Sequence, residues 1–293
     1  MRAGSDHHMT QPSQIFSFEF FPPKTEEGIN KLAATCKALA AVRPRFFSVT
    51  FGAGGSTRDR TVETVINLQK ISGIYTAPHL SCISSTRNNI RDMLNGYRDK
   101  GISHIVALRG DMPSGMGEAG EFRHANELVS FIREETGEHF HIEVAAYPEY
   151  HPQATSPDRD LENFKRKVDA GASSAITQYF YNPDAYFRFI DRCSSVDINI
   201  DIVPGIMTIT NYYQLARFSD ACGAEIPRWI RKRLEAYGEN LESIRAFGEE
   251  VVTSLCAQLL ERGAPGLHFY TLNRAEPALA IWSNLELGTR QQD

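Results

Sequence analysis

Short apolar runs rich in β-branched and aromatic residues alternate along this chain with amphipathic stretches of helical period. The first run, residues 15–21, is followed by a helix that Thr25 can cap and whose apolar face carries Ile29, Leu32, Ala33, Cys36, Leu39 and Ala40. Residues 45–51 form a second strand and a helix follows over about 57–71. A third strand spans 75–82, a helix 86–99 and a fourth strand 104–108. After a Gly/Pro-rich loop to Gly120 come a helix over 125–135 and a fifth strand over 141–147. Ser156 and Pro157 signal the start of the next helix and Gly171 its end. The sixth strand is 174–180 and the seventh 198–203, ending at Pro204-Gly205. Two or three helices fill 211–262, and 267–270 is the eighth strand. Asn273 and Glu276 have capping-box spacing for a last helix holding Leu279 and Trp282.

Eight strands, each followed by helix and each nearly continuous in apolar character, predict a parallel sheet buried on both faces. Eight such units in this length favour a single-domain (β/α)8 TIM barrel over residues 15–293, with an open doubly wound sheet as the alternative. Residues 1–14 are polar, include His7-His8-Met9, and are set aside as a disordered tail or vector-derived scar.

Composition narrows the partners. A net charge of −5 without any Lys/Arg block disfavours nucleic acid. No apolar run is long enough to span a bilayer, and no signal-peptide core is present. Five widely spaced cysteines without a CxxC pair suit a reducing cytoplasm.

In a barrel of this kind the chemistry gathers at the C-terminal ends of the strands. Those ends carry Glu19, Thr50, His79, Arg109 with Asp111, Tyr147 with Glu149 and His151, Gln178, and Tyr270 with Arg274. Glu19 breaks the run FSFEFFPP, and apolar surroundings should raise its pKa into the range of a proton donor. A purely structural acid is the competing reading. On the fifth helix, Leu161, Phe164 and Val168 form the packing stripe, while Asp160, Asn163 and Lys167 share another, with Arg166 beside it. That second stripe is either a solvated face or a seat for a diphosphate and a ribose.

Other motifs carry less. Gly115, Gly117 and Gly120 match GxGxxG but lie too far from the preceding strand for a dinucleotide turn. His139 and His141 start the fifth strand and lack a third metal ligand, so no metal is expected. Cys82 has no adjacent base, and no GxSxG, HExxH or P-loop occurs. No lysine ends any strand, which speaks against a Schiff-base lyase or aldolase.

Several stretches together resemble the bacterial-type methylenetetrahydrofolate reductases: SFEFFPP (17–23), SVTFGAGG (48–55), APHLSC (77–82), HIVALRGD (104–111), AAYPEYHPQA (145–154), KRKVDAGA (165–172), AITQYF (175–180), PGIM (204–207) and HFYTLNRAE (268–276). The resemblance runs from residue 15 to about 282 and implies the same barrel. It further implies non-covalent FAD, NADH or NADPH as hydride donor, and reduction of 5,10-methylenetetrahydrofolate to 5-methyltetrahydrofolate by ping-pong use of one site. By resemblance Glu19 is the general acid and Asp111 the acid near the flavin pyrimidine edge. Thr50, His79, Arg109, Gly110, Asp111, Tyr147, His151, Ala154, Asp160, Asn163, Arg166 and Lys167 match flavin contacts. Gln178, Tyr212, Tyr270 and Arg274 fall on the substrate side, with Glu19. Relatives are commonly homo-oligomers. Tyr212 and Tyr179 stand where close relatives carry Phe, and the loop 112–124 looks slightly longer. A non-catalytic flavin- or folate-binding barrel would have to keep Glu19 and Asp111 without using them.

Overall fold

The computed structural model describes residues 14–51, 55–110 and 120–287, with backbone alone at 55–59. The elements run β1 (Ile15–Phe20), α1 (Glu26–Ala40), β2 (Phe46–Val49), α2 (Gly55–Ser72), β3 (Thr76–Ser81), α3 (Arg87–Asp99), β4 (His104–Leu108), α4 (Ala125–Thr136), β5 (His141–Ala146) and α5 (Pro157–Asp169). They continue with β6 (Ser174–Thr177), α6 (Pro183–Ser194), β7 (Asp201–Val203), β8 (Gly205–Met207), α7 (Tyr212–Cys222), α8 (Arg228–Tyr237), α9 (Leu241–Glu261), β9 (Gly266–Tyr270) and α10 (Glu276–Asn284).

All pairings are parallel, in the order β7-β6-β5-β4-β3-β2-β1-β9-β8. The two outer pieces are halves of one extended segment interrupted at Pro204, so the sheet closes into the eight-fold barrel. β7 pairs with β6 and β8 with β9. Proline has no N–H to lose, so the segment changes partners there without orphaning a donor. The Pro204 carbonyl accepts from His268 N–H at 3.0 Å, and Gly205 N–H donates to Thr177 Oγ1 at 2.9 Å. The seventh strand therefore runs through Met207 instead of stopping before Pro204. Its expected start at 198 belongs to the turn after α6, where Ile198 N–H donates to Cys193 O at 3.0 Å.

Side-chain alternation sorts the strands. Phe16, Phe18 and Phe20 join the large apolar layer between sheet and helices, each burial contributing about 1.5–3 kcal/mol. The opposite phase of β1, Ser17 and Glu19, faces into the barrel. A small apolar layer of Phe46, Ala77, Val106 and Ile176 fills the middle of that interior. Polar groups lie on both sides of it: Glu19, Ser48, His79 and His268 toward the C-terminal end, and His104, Glu143 and Ser174 toward the N-terminal end.

The caps on α1 and α5 form as the sequence predicts, Thr25 accepting from Gly28 N–H and Ser156 from Arg159 N–H. The last helix differs. It begins at Glu276 without a side-chain cap. Asn273 is used elsewhere, accepting from Phe21 N–H at 3.0 Å and donating to Phe21 O at 2.9 Å. It thereby staples the loop after β9 to the loop after β1.

Candidate active site

Glu19 Oε2 stands 3.2 Å from His79 Nε2 on β3 and 3.6 Å from His268 Nε2 on β9. The far side of the His268 ring is fixed by Ser17, whose Oγ lies 2.7 Å from Nδ1. Among the described residues, Ser48 Oγ is buried without a hydrogen-bond partner, and the buried His79 Nε2 and His268 Nε2 have none beyond their close approach to Glu19. Such groups are rare in folded proteins and collect where a ligand is handled.

The environment of Glu19 differs from the one the sequence suggests. Its phenylalanine neighbours project to the other face of β1, and imidazoles stand beside it instead. Burial pushes the carboxyl up, but the charge of His79 and the contacts from His268 and His79 outweigh burial and bring it down to about 2. Glu19 is thus ionised at rest, not a raised-pKa acid.

Groups expected at the flavin side come from β2, β4, β5 and α5. Thr50 follows β2, its N–H on Phe20 O at 2.9 Å. Arg109 follows β4, with Nη2 donating to Gln153 Oε1 at 2.6 Å. Gly110 has φ +86, and a Cβ there would fall 1.9 Å from Ser81 Oγ, so only glycine fits this turn. The rings of Tyr147 and His151 meet edge-on, with centroids 4.6 Å apart. Ala154 N–H donates to His151 O at 2.8 Å, and Asp160 Oδ2 accepts from His151 N–H at 2.9 Å. Arg166 donates to Asn163 Oδ1 at 3.2 Å. Lys167 Nζ donates to Ala145 O at the end of β5. Burial lowers the Lys167 ammonium to about 8, against the opposing pull of Asp160. Asp111 lies outside the described residues, as does the loop after it through residue 119.

Among the described residues the strands themselves supply no terminal lysine, but α5 does bring Lys167 to a strand end. The case against a Schiff-base lyase therefore rests on family membership, given below, and not on strand-end composition.

On the substrate side, Tyr270 donates to Thr177 O at 2.7 Å, and Gln178 Oε1 accepts from Tyr179 N–H at 3.0 Å. The Tyr179 hydroxyl is absorbed by Ser219 Oγ at 3.0 Å, and Tyr212 donates to Glu235 Oε1 at 3.3 Å. Both extra hydroxyls are therefore tied to helices; Tyr179 is buried in the core, whereas Tyr212 is half-buried. Arg274 is exposed on a cleft of about 790 Å³ between α1, α9 and α10, whose walls also include Lys31, Arg245 and Glu249. Glu19 and His79 do not line that cleft, so it does not contain the acid site.

The sequence profile of the family described as methylenetetrahydrofolate reductase matches residues 5–286, taking in part of the stretch set aside as a tail. The chain belongs to the methylenetetrahydrofolate reductase family. The 5,10-methylenetetrahydrofolate reductase of Salmonella typhimurium is 42% identical over 269 residues, covering 92% of this chain and 90% of that protein. The Escherichia coli reductase matches with the same identity and coverage. A rice protein named probable methylenetetrahydrofolate reductase (NADH) is 41% identical over 286 residues, covering 93% of this chain and 48% of its own length. A solved Clostridium thermocellum protein, described as binding two copies of 5-methyl-5,6,7,8-tetrahydrofolic acid, superposes with a TM-score of 0.66 at 15% identity, covering 96% and 97% of the two chains. At that identity the likeness is one of fold. As a bacterial-type methylenetetrahydrofolate reductase, the protein is an oxidoreductase of folate one-carbon metabolism built on an α/β barrel. Among the described residues no helix is long and apolar enough to cross a membrane.

Sequence reasoning missed Ser17 and His268 as partners of Glu19. The available signal was their inward phase: Ser17 lies opposite His268 in the β1–β9 register, and Glu19 opposite Tyr270.

Proposed function

We propose that this chain reduces 5,10-methylenetetrahydrofolate to 5-methyltetrahydrofolate. In this reading it holds FAD non-covalently at the C-terminal face of the barrel and draws on NADH or NADPH at the same site in turn. The observation that carries the reading is the Glu19 carboxyl group flanked by two buried imidazoles in a chain of this family.

The residues present fit a flavin dinucleotide. Lys167 offers a half-buried cation for the diphosphate, with Arg166 beside it on the same helix. Asp160 and Asn163 suit ribose hydroxyls. Gly110 keeps the turn after β4 bare where it packs against Ser81 and Ile83, which sets the course of the backbone toward Asp111. Thr50, His79, Arg109, Asp111, Tyr147, His151 and Ala154 complete the set assigned to the cofactor. Bound flavin supplies the two-electron transfer between pyridine nucleotide and folate.

The chain's own residues supply the proton. Glu19 delivers it to a folate nitrogen as the imidazolidine ring opens, leaving an iminium cation on the other nitrogen. The carboxylate that remains then stabilises that cation. Exclusion of water by an entering pterin favours the neutral form of the Glu19 carboxyl, the form that can deliver the proton. Gln178 and Tyr270 orient the pterin, while Tyr212 and Arg274 act at its outer side. Asp111 adds negative charge that favours the cationic folate. The five free thiols fit a reducing cytoplasm, and a homo-oligomer belongs to the same reading.

An anaerobic titration of FAD-reconstituted protein tests this. Flavin absorbance should bleach with NADH or NADPH and return on adding 5,10-methylenetetrahydrofolate. Protein that retains no FAD, or whose bleached flavin is not reoxidised by the folate, would overturn the proposal.

A further inference from the structure

At the N-terminal end of the barrel, away from Glu19, three side chains converge. His104 opens β4, His141 opens β5, and Glu143 lies two residues further along β5. Nε2 of His104 and Nε2 of His141 each stand 3.3 Å from the same oxygen, Glu143 Oε1. One ligand atom from each residue lies within 4.8 Å of the others. The parallel register explains the convergence. His104 lies opposite His141, and residues two apart on a strand face the same way. His139 takes no part, its Nε2 lying 3.2 Å from Ile102 O. The third donor that the 139/141 pair lacks in sequence is irrelevant, because the fold pairs His141 with His104 and adds Glu143.

Hydrogen bonding within the protein leaves this cluster unbalanced. Both imidazoles crowd Oε1, whereas Oε2 is buried and has no partner. Glu143 is only 3% exposed, and a carboxylate oxygen buried without a donor is costly. A cation held by the two imidazoles and Oε1 offsets the charge of this buried carboxylate. Tetrahedral zinc, with bonds of ~2.0–2.2 Å, spaces its ligand atoms ~3.3–3.5 Å apart. The two measured separations are 3.3 Å. Two imidazoles and a carboxylate select zinc-class ions over magnesium or calcium, which prefer all-oxygen shells. His141 Nε2 is also hydrogen-bonded to Ser174 Oγ at 2.6 Å, a contact that a bound cation would replace. The ring of Phe46 closes the barrel side, its centroid 4.3 Å from that of His104. The half-exposed His141 leaves a path from solvent.

We propose that His104, His141 and Glu143 form a binding site for a zinc-class divalent cation that clamps β4 to β5 at the N-terminal face of the barrel. The site is separate from the reaction centre, with the Phe46 layer between them. Its consequence is stability, not turnover.

Cobalt(II) is the probe, titrated into the full-length holoprotein carrying His7→Ala and His8→Ala so that the N-terminal pair contributes nothing. One Co²⁺ per chain should bind with the intense visible bands of a tetrahedral centre, be displaced by Zn²⁺, and leave the flavin half-reactions unchanged. Zn²⁺ should raise the melting temperature. His141→Ala, at the exposed corner, should abolish the bands and weaken binding by more than the ~10–100-fold that loss of an outer-shell partner costs. Glu143→Gln should do the same. Should the folded parent bind no Co²⁺, or should His141→Ala bind it with unaltered affinity and spectrum, the proposal fails.

Discussion

His79 Nε2 lies 3.2 Å from Glu19 Oε2, and this contact decides the resting charge of the barrel's acid. Burial alone would neutralise the carboxyl, but the two imidazoles reverse that and hold it near 2. In the proposed reaction Glu19 delivers the proton with both imidazoles beside it. Ser17 holds His268 from behind at 2.7 Å, which fixes the tilt of the ring toward Glu19.

Loss of that hold should be felt in one half-reaction only. Ser17→Ala should slow folate reduction by about 100-fold, the scale associated with misplacing a reacting group by an ångström. Bleaching of the flavin by NAD(P)H should stay near wild-type rates. Stopped-flow measurement of the two half-reactions separates these outcomes. Equal slowing of both would assign Ser17 to packing alone.

The same contact makes a pH prediction for stability. The Glu19 carboxyl lies below its ordinary 4.5 in the folded chain, at about 2. Its contribution is therefore fully present above pH 4.5 and is lost as pH falls toward 2. Urea midpoints measured across that window should fall for the wild type and fall less steeply for Glu19→Gln. Parallel curves for the two proteins would mean the carboxylate gains nothing from its imidazoles.

Much of this arrangement was legible in the sequence. The eight-fold alternation shows because the outward phase of each strand is apolar, as in Phe16, Phe18 and Phe20. Glu19 shows because it interrupts such a run. The partners of Glu19 do not show, because His268 sits in the apolar segment GLHFY and meets Ser17 only through a register spanning 251 residues. For the same reason His104 and His141 look unrelated until β4 and β5 pair. Pro204 reads as a strand end, yet it marks a change of partner within one strand, which only barrel closure can reveal. Asn273 has capping spacing, but a tertiary contact with Phe21 claims its side chain.

The α5 cation should govern cofactor retention. With its ammonium lowered to about 8, Lys167 is charged below that pH and neutral above it. A bound diphosphate favours the charged form, so FAD affinity should decline as pH rises beyond 8. Lys167→Ala should weaken affinity by about tenfold or more, the scale of one charge-assisted contact of about 1.5–3 kcal/mol, and flatten that decline. Equilibrium dialysis from pH 7 to 9 checks both. Unaltered retention in the variant would return this helix face to solvent.

Barrel closure depends on a bare backbone at Gly205. A Cβ there would fall 2.1 Å from Thr177 O and 2.7 Å from the Tyr270 ring. The first is backbone and cannot swing away. Gly205→Ala should therefore cost at least about 1–3 kcal/mol. It should also disturb the Tyr270–Thr177 hydrogen bond, raising KM for the folate. Thermal melts and steady-state kinetics together read this out. A variant with wild-type stability would show that Gly205 does not approach Thr177 and Tyr270 so closely.

The role of Glu19 is tested most directly by single-turnover kinetics of Glu19→Gln loaded with FAD. Reduction by NAD(P)H should proceed at close to the wild-type rate. Reoxidation by 5,10-methylenetetrahydrofolate should fall by at least the ~10²–10⁴-fold expected for loss of a general acid. Reoxidation at the wild-type rate, or loss of flavin reduction with folate reduction intact, would contradict the account.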